Sequence, residues 1–227
     1  TTASINSVVK IDKSIPLNVA ALLGCAVPTG WGAAVNSANI IPGAVVIVMG
    51  IGGIGSAAVQ GAVYAGARAV IAVDPVEFKR EKALEFGATH AFADIAEATA
   101  FAQSITNGQG ADATIVSVGV LQPEYIGQAM ASIRKAGTVV VPALGNARDV
   151  GVPIRMSEVT LYQKRLQGSL YGQSNPQFDI PNLLRMYQAG KLKLDEMVTT
   201  TYELGDIAQA YDDMHAGKNI RGMVVFD

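Results

Sequence analysis

The feature that most restricts the fold of this chain is an apolar run that ends in a cluster of glycines. Residues 44–49 read AVVIVM, and glycines follow at Gly50, Gly52 and Gly55. Because the run shows no alternation of polar and apolar side chains, it predicts a strand buried on both faces of a parallel sheet. Residues 54–65 have helical periodicity and predict the helix that follows the glycines.

The spacing Gly-x-Gly-x-x-Gly gives this turn a chemical interpretation. Gly50 permits the tight turn, Gly52 leaves room for a diphosphate to approach the backbone, and Gly55 allows the helix to pack tightly on the strand. The free N–H groups and the dipole at the start of the helix attract phosphate groups. The spacing alone is a weak signal, but its place between a strand and a helix favours a dinucleotide-binding turn over a structural one.

A carboxylate follows the second predicted strand. Asp74 comes 74 − 55 = 19 residues after Gly55, close to the roughly 20 residues typical of dinucleotide-binding sites. Such a carboxylate can accept hydrogen bonds from both adenosine ribose hydroxyls and repels a 2′-phosphate, so it favours NAD over NADP. The competing interpretation is a helix start, with Asp74 as the N-cap and Pro75 in the first turn. Lys79, about one turn further, either approaches the same ribose or is a solvated surface residue.

Helices and strands alternate through the middle of the chain, which predicts an α/β fold with a doubly wound parallel sheet and right-handed crossovers. Beyond the first unit, helices are predicted over residues 76–86, 95–106 and 123–134, and strands over 69–73, 91–93, 113–118, 138–141 and 165–170. Before it, we predict a short helix over 16–23, a turn over 25–30 and a helix over about 31–38. Helices over 178–189 and 207–215 and strands over 197–202 and 223–226 no longer follow the repeat.

Composition excludes several classes of protein. Half of the residues are hydrophobic and 16% are charged, which suits a buried parallel sheet, and the net charge of −2 argues against nucleic acid or an anionic membrane as a partner. No apolar run reaches the roughly 18 residues that span a bilayer, and no signal peptide is visible. The single cysteine excludes an internal disulfide, so we expect a cytoplasmic protein. Because the chain does not begin with Met, we expect it to be a fragment.

The sequence pattern alone does not decide the roles of Cys25 and Arg221. A lone cysteine such as Cys25 is usually a small buried hydrophobe, and a catalytic metal site needs three or four ligands. His90 and His215 lie in contexts that suggest a strand entry and a helix end, so this chain alone is not expected to hold a zinc ion. Arg221 is either a clamp for a pyrophosphate or an ordinary exposed arginine.

Several segments together resemble the medium-chain zinc-dependent alcohol dehydrogenases, in order and spacing along nearly the whole chain. These segments are residues 24–25, 30–34, 50–55, 73–74, 87–90 and 219–221. Residues 167–172 and 217–222 look most like the class III-related branch of that family. Within the branch, the chain is closest in look to the nicotinoprotein, or N,N-dimethyl-4-nitrosoaniline-dependent, alcohol dehydrogenases.

The resemblance implies roles for individual residues. Cys25 corresponds to a protein ligand of the catalytic zinc, and Thr29 corresponds to the catalytic-site residue beside the nicotinamide. Ile54 corresponds to the aliphatic residue that supports the nicotinamide ring from behind. The cofactor-binding residues that it implies are Gly50, Gly52, Gly53, Ile54, Gly55, Asp74, Lys79 and Arg221.

The resemblance also implies a domain organisation. Residues 1–40 correspond to a hinge segment from a GroES-like catalytic domain that precedes this stretch and carries the other zinc ligands. Residues 41–170 correspond to a dinucleotide-binding Rossmann domain, and residues 171–227 to helices and strands that return to the catalytic domain. We therefore expect exposed apolar surface around residues 17–23 and on the tail. The edge strand near residues 165–170 is expected to pair across the axis of a homodimer.

The function implied by the resemblance is NAD-dependent hydride transfer between an alcohol and an aldehyde, with zinc in the intact enzyme. The chain by itself is expected to bind NAD without turning over substrate. A metal-free quinone or enoyl reductase of the same superfamily is an alternative, against which Cys25 argues. A non-catalytic NAD-binding module is a second alternative, because every site residue that is legible from the residues alone is a cofactor residue.

Overall fold

The computed structural model describes residues 2–226. Thr1, at the start of the predicted segment 1–40, and Asp227, at the end of the predicted segment 171–227, lie outside the described residues. Its centre is a six-stranded sheet in the order β3-β2-β1-β4-β5-β6, in which all neighbouring strands are parallel. The strands are β1 Val45–Met49, β2 Ala69–Val73, β3 His90–Phe92, β4 Ala111–Val116, β5 Ile133–Val141 and β6 Arg165–Gly168. The predicted doubly wound parallel sheet is confirmed, and its strand order reverses between β1 and β4.

Helices connect the strands and cover both faces of the sheet. They are α1 Leu17–Leu22, α2 Ala26–Gly32, α3 Gly53–Tyr64, α4 Glu77–Glu85, α5 Ile95–Ser104, α6 Pro123–Ser132, α7 Met156–Thr160, α8 Pro176–Gln188 and α9 Ile207–His215. A short parallel pair, β7 Val198–Tyr202 and β8 Arg221–Val224, lies apart from the main sheet. The predicted β2 and α9 agree with the structure residue for residue, and most other bounds shift by one or two residues.

Successive residues of the central strands enter two different hydrophobic cores. Val46 and Val48 of β1 pack in one core with residues of α1, α2, α3 and α8, whereas Val45 and Ile47 pack in the other with residues of α5 and α6. Every residue of β1 and of β2 is therefore buried. This double burial explains why the strands read as continuous apolar runs without polar alternation.

The predicted turn over residues 25–30 is wrong, because α2 begins at Ala26 and a π-helical turn, Ala33–Ser37, continues it. Pro28 is tolerated because the first turn of a helix does not use its N–H groups for intrahelical bonds. Gly30 is needed for packing, since a Cβ there would overlap the Ile54 carbonyl oxygen of α3 and lie 2.9 Å from Ala57 Cβ. The glycine therefore marks a close helix–helix contact instead of a chain reversal.

The tail packs against the same core as α1, α2 and α3. Its contribution to that core comes from Leu183, Leu184, Leu192, Leu194, Met197 and Ile220. The Gln60 side chain of α3 holds the segment before β7, because its amide nitrogen donates to the Lys193 carbonyl over 3.1 Å and its amide oxygen accepts from the Lys193 N–H over 2.8 Å. The tail is thus fixed to α3, the helix that follows the glycine-rich turn.

The expectation of exposed apolar surface around residues 17–23 and on the tail is met only in part. Leu17 is 83% exposed, but Val19, Leu22 and Leu23 are buried because they pack with α2 and α8, so the expectation for this helix is wrong except at its start. The expectation for the tail is confirmed. Large apolar side chains there are exposed just before α9, on it and beyond it: Leu204, Ile207, Tyr211, Met214, Val225 and Phe226. Within residues 2–226 no helix has both the length and the apolar character to cross a bilayer.

Candidate functional site

The glycine-rich turn lies at the carboxyl end of β1, beside the point where the strand order reverses. Gly50 has φ = +87°, and a Cβ there would lie 2.9 Å from the Ser117 carbonyl oxygen. A Cβ on Gly55 would overlap the Gly50 carbonyl oxygen, so the start of α3 rests directly on the turn. Gly50 therefore supplies the backbone conformation and Gly55 the close approach, as the spacing predicts for the geometry.

Gly52 differs from these two glycines because it faces open space. It is the N-cap of α3, and no atom lies within 4 Å of the position of an added Cβ. No packing requirement within the described structure explains a glycine here. The unpaired N–H groups at the start of α3 are consequently accessible to an anion from this side.

Arg221, the first residue of β8, brings a cation to the same helix start. A Cβ on Gly53 would overlap the Arg221 Nε, so the side chain lies across that glycine. Burial lowers the pKa of Arg221, and the nearby Cys25 side chain opposes that shift. Among residues 2–226 the guanidinium forms no hydrogen bond or ion pair, although it is partly buried beside the positive end of a helix dipole. This arrangement favours a bound anion.

Asp74 connects the end of β2 to the glycine-rich turn. Its side chain is 5% exposed, with Oδ2 accepting a hydrogen bond from the Ile51 N–H over 2.8 Å and Oδ1 accepting one from the Val76 N–H over 2.9 Å. The N-cap of α4 is Val76, so the interpretation of Asp74 as the helix cap is wrong. A carboxylate has about four acceptor positions, and those that the backbone leaves free can accept bonds from hydroxyl groups.

Two basic residues follow Asp74 on α4. Lys79 is half-buried, and its Nζ lies 3.5 Å from the position of a Cβ on Gly217, so it stands beside the turn that ends α9. Arg80 donates hydrogen bonds to the carbonyl oxygens of Asp74 and Pro75 over 2.9 and 2.8 Å. Arg80 therefore holds the loop after β2, a role that the sequence pattern does not predict.

The helix starts of α2 and α3 bring together Cys25, Thr29 and Ile54, the three residues that the resemblance places at the reacting end of the cofactor. Cys25 is exposed at the N-cap of α2, so its interpretation as a buried hydrophobe is wrong. Thr29 is buried, and its hydroxyl donates to the Cys25 carbonyl oxygen over 2.7 Å. Ile54 is half-buried and lies against Gly30 of α2.

Cys25 has no companion for metal binding in the described structure. Residues 2–226 contain no cluster of three or more histidine, cysteine, aspartate or glutamate side chains that could hold a metal ion. His90 begins β3 and packs against the Phe101 ring at a tilt, with ring centroids 4.1 Å apart, and His215 ends α9, as their contexts predict. A single thiol does not meet the ligand requirement of zinc.

Residues 53–189 match the model of a protein family described as zinc-binding dehydrogenases. The chain belongs to the zinc-binding dehydrogenase family. It is 50% identical to NDMA-dependent alcohol dehydrogenase from Amycolatopsis methanolica, over 99% of this chain and 60% of that protein. It is 49% identical to alcohol dehydrogenase B from Mycobacterium tuberculosis, over 96% of this chain and 58% of that protein. The predicted resemblance is confirmed.

Solved structures of dehydrogenases share the fold. Benzyl alcohol dehydrogenase from Acinetobacter calcoaceticus superposes with a TM-score of 0.87 at 29% identity, over 96% of this chain and 59% of that one. The chain thus spans about 60% of the length of the curated relatives that it matches.

A hydrogen-bond network in the tail of the chain was missed by sequence reasoning. The Tyr202 hydroxyl donates to Asp213 Oδ2 over 2.9 Å and accepts from Asn219 Nδ2 over 3.2 Å. Lys218 Nζ and Gln209 Nε2 each donate to Asp213 Oδ1 over 2.9 Å. The polar residues at 218–219, just before β8, are the sequence signal that could have indicated a buried network there.

The network makes part of the stability of the chain dependent on pH. The bonds from Lys218 and Tyr202 hold the pKa of Asp213 below its ordinary value. A carboxyl group with a lower pKa in the folded chain contributes stability above its unfolded pKa of about 3.9, and the contribution is lost as the pH falls through the folded pKa. Asp213→Asn should therefore melt at a lower temperature than the parent chain at about pH 7, and the difference should shrink as the pH falls below the unfolded pKa. Thermal unfolding over this pH range tests the prediction, and a difference that persists undiminished at the lowest pH contradicts it.

Proposed function

We propose that this chain is the NAD-binding part of a zinc-dependent alcohol dehydrogenase that transfers hydride between an alcohol or aldehyde and the nicotinamide. The observation that carries the proposal is the open space at Gly52, whose two neighbours in the chain meet the Asp74 carboxylate, at Ile51, and the unpaired Arg221 guanidinium, at Gly53. A cation and a helix start suit a diphosphate, and a carboxylate at the end of the next strand suits a ribose.

The diphosphate would be held by the turn and by Arg221. The first N–H groups of α3 have no partner within the helix, Gly52 leaves open space beside them, and the glycine at position 53 gives Arg221 its place across the helix start. An anion there would relieve the unfavourable burial of the guanidinium and the repulsion between it and the helix dipole. Charge-assisted hydrogen bonds from a guanidinium to phosphate are among the strongest in proteins.

The adenosine ribose would be held by Asp74 and approached by Lys79. Asp74 is already oriented by the Ile51 and Val76 N–H groups, so binding a ribose requires no rotation of the carboxylate. Arg80 is occupied by backbone carbonyl groups and is not free to neutralise a 2′-phosphate. The site therefore favours NAD.

Thr29 and Ile54 would position the nicotinamide. The bond from the Thr29 hydroxyl to the Cys25 carbonyl fixes its rotamer, and Ile54 at the start of α3 offers an aliphatic surface on which the ring can rest. NAD, when bound, supplies the carbon that accepts or donates the hydride. These residues would hold that carbon in a fixed place relative to the substrate.

Cys25 is proposed as one zinc ligand of the intact enzyme. The residue is exposed, but the described residues supply no second and third ligand beside it, so they do not by themselves fit a zinc ion. We therefore assign no metal-dependent step to this chain. The relatives that carry the names of alcohol dehydrogenases support an alcohol or aldehyde as substrate over the quinone of the metal-free reductases.

The domain division and the assembly are proposals on the same basis. We infer that residues 1–40 lead from a catalytic domain, that 41–170 form the dinucleotide-binding domain and that 171–227 return to the catalytic domain. A homodimer through β6 is supported by its position at the edge of the sheet, where Leu166 is 44% exposed. Leu170, just beyond that strand, is 88% exposed. A cytoplasmic location is proposed from the single cysteine.

Titration calorimetry of the 227-residue chain with NAD and with NADP tests the proposal. We expect NAD to bind and NADP to bind at least about tenfold more weakly, because the buried carboxylate repels the 2′-phosphate. Equal or stronger binding of NADP would contradict the role of Asp74, and failure of both to bind would contradict the proposed function. With zinc, NAD and a primary alcohol, the chain alone should show no turnover.

A further inference from the structure

The backbone that carries Arg221 is fixed by an irregularity in the small β7–β8 pair. The register between these strands shifts between Val198 and Thr200, which leaves Thr199 outside the regular pairing. The Thr199 hydroxyl accepts a hydrogen bond from the Ile220 N–H over 3.0 Å. The residue directly before Arg221 is therefore held by a side chain of β7.

Tyr202 holds the residues on both sides of Arg221. Its hydroxyl oxygen accepts a hydrogen bond from the side-chain amide of Asn219, two residues before Arg221. Its ring packs on Gly222, the residue after Arg221, since a Cβ on Gly222 would lie 2.8 Å from Tyr202 Cε2. Tyr202 is 8% exposed and Asn219 is 6% exposed, so water competes little for these contacts. The tyrosine thus fixes the main chain from which the arginine side chain extends.

Asp213 fixes the hydroxyl itself. Because the carboxylate accepts the hydrogen bond that the Tyr202 hydroxyl donates over 2.9 Å, the lone pairs of the hydroxyl oxygen are free to accept a bond from the Asn219 amide. Lys218 and Gln209 bind the other carboxylate oxygen and orient it. The network therefore connects α9 to the loop before β8 in two ways, directly through Lys218 and through the phenolic oxygen of Tyr202 on β7.

Arg221 needs such support because nothing holds its own charged end. Its guanidinium has no hydrogen-bond or ion-pair partner in the described part of the chain, and it lies at the positive end of α3. An arginine side chain gains considerable entropy when it is released to water. Only the backbone and the packing around residues 219–222 can keep it across Gly53 before a ligand binds.

We propose that Tyr202 is a positioning residue for diphosphate binding, because its hydroxyl fixes the backbone that aims Arg221 at the start of α3. The inference rests on the proposed function, since the diphosphate is that of NAD. Tyr202 touches neither the diphosphate nor the reacting atoms in this role and acts through Arg221 alone. A merely structural role, in contrast, would stabilise the tail without changing affinity for the cofactor.

Tyr202→Phe removes only the hydroxyl, and Tyr187→Phe is its matched control. The Tyr187 hydroxyl also donates to a carboxylate of the tail, Asp195 Oδ2, over 2.8 Å, but it lies on α8 away from Arg221. We expect Tyr202→Phe to raise the dissociation constant for NAD about five- to tenfold, the value of one hydrogen bond. The dissociation constant for adenosine, which lacks phosphates, should not change, and Tyr187→Phe should change neither.

Two further measurements, one in the Arg221→Ala variant and one on the Arg221 resonance, distinguish positioning of Arg221 from a general effect on stability. When Arg221→Ala is already present, Tyr202→Phe should have no further effect on NAD affinity. In the ligand-free chain labelled with ¹⁵N-arginine, Tyr202→Phe should shift or broaden the Arg221 Nε–H resonance, and Tyr187→Phe should not. Equal effects of the two tyrosine variants on NAD, or an undiminished effect without Arg221, would overturn the proposal. If the parent chain binds NAD and Tyr202→Phe binds it equally well, only this inference fails; if the parent does not bind NAD, the proposed function fails with it.

Discussion

Replacement of Asp74 by asparagine is expected to weaken NAD binding about 10- to 100-fold, because hydrogen bonds to a charged group contribute about 1.5–3 kcal/mol. The variant loses the charge that would hold the ribose hydroxyls. It also turns an amide NH₂ toward either the Ile51 or the Val76 N–H, since asparagine has a single side-chain acceptor oxygen. A buried donor left without an acceptor costs about 1–3 kcal/mol, so the free energy of unfolding should fall as well. Calorimetric titration with NAD and urea unfolding measure the two effects.

Asp112→Asn separates the loss of binding from the loss of stability. Asp112 also uses both oxygens, with Oδ2 accepting from the Val45 N–H over 2.7 Å and Oδ1 accepting from Arg134 Nε over 2.6 Å. It lies at the amino-terminal ends of β1 and β4, whereas Asp74 lies beyond the carboxyl end of β2. We expect this variant to lose stability and to keep its affinity for NAD. Equal losses of affinity in the two variants, or none at Asp74, would contradict a ribose contact at Asp74.

The middle of the fold was predictable because its signals are local. The continuous apolar run of β2 reflects burial on both faces, and the predicted strand has the same bounds as the observed one. The helical start of α2 was not predictable in this way. Pro28 and Gly30 favour a turn when only neighbouring residues are considered, whereas the helix depends on Gly30 meeting Ile54 of another segment.

The candidate site shows the same division between local and distant signals. The positive φ of Gly50, the close approach at Gly55 and the position of Asp74 all follow from one strand–turn–helix unit and its successor. The arrival of Arg221 at Gly53 depends on how the tail folds back over α3, which no pattern near either residue encodes. Its placement was implied only by the resemblance, and the Tyr202 network that supports it was missed.

Gly55→Ala is expected to be the most destabilising single-methyl change in the glycine-rich turn. The added Cβ would overlap the Gly50 carbonyl oxygen and lie 2.9 Å from the Gly50 carbonyl carbon and 3.0 Å from Ser117 Oγ. Two of these neighbours are backbone atoms of a turn that also needs its positive φ, so they cannot move aside as a flexible side chain would. Overpacking costs about 1–3 kcal/mol, and because the site is rigid, urea unfolding should show a loss near the upper end of that range.

Gly52→Ala provides the opposite case within the same turn. Its Cβ would enter open space, so the free energy of unfolding should change by less than about 1 kcal/mol, as for an ordinary surface substitution. The methyl group would nevertheless occupy the space through which a diphosphate reaches the N–H groups of α3, and NAD affinity should fall about tenfold or more. A stable variant that binds NAD as well as the parent chain would show that the open space at Gly52 is not the diphosphate site. Loss of affinity without loss of stability, set against the loss of stability at Gly55, is the result that assigns one glycine to the ligand and the other to the fold.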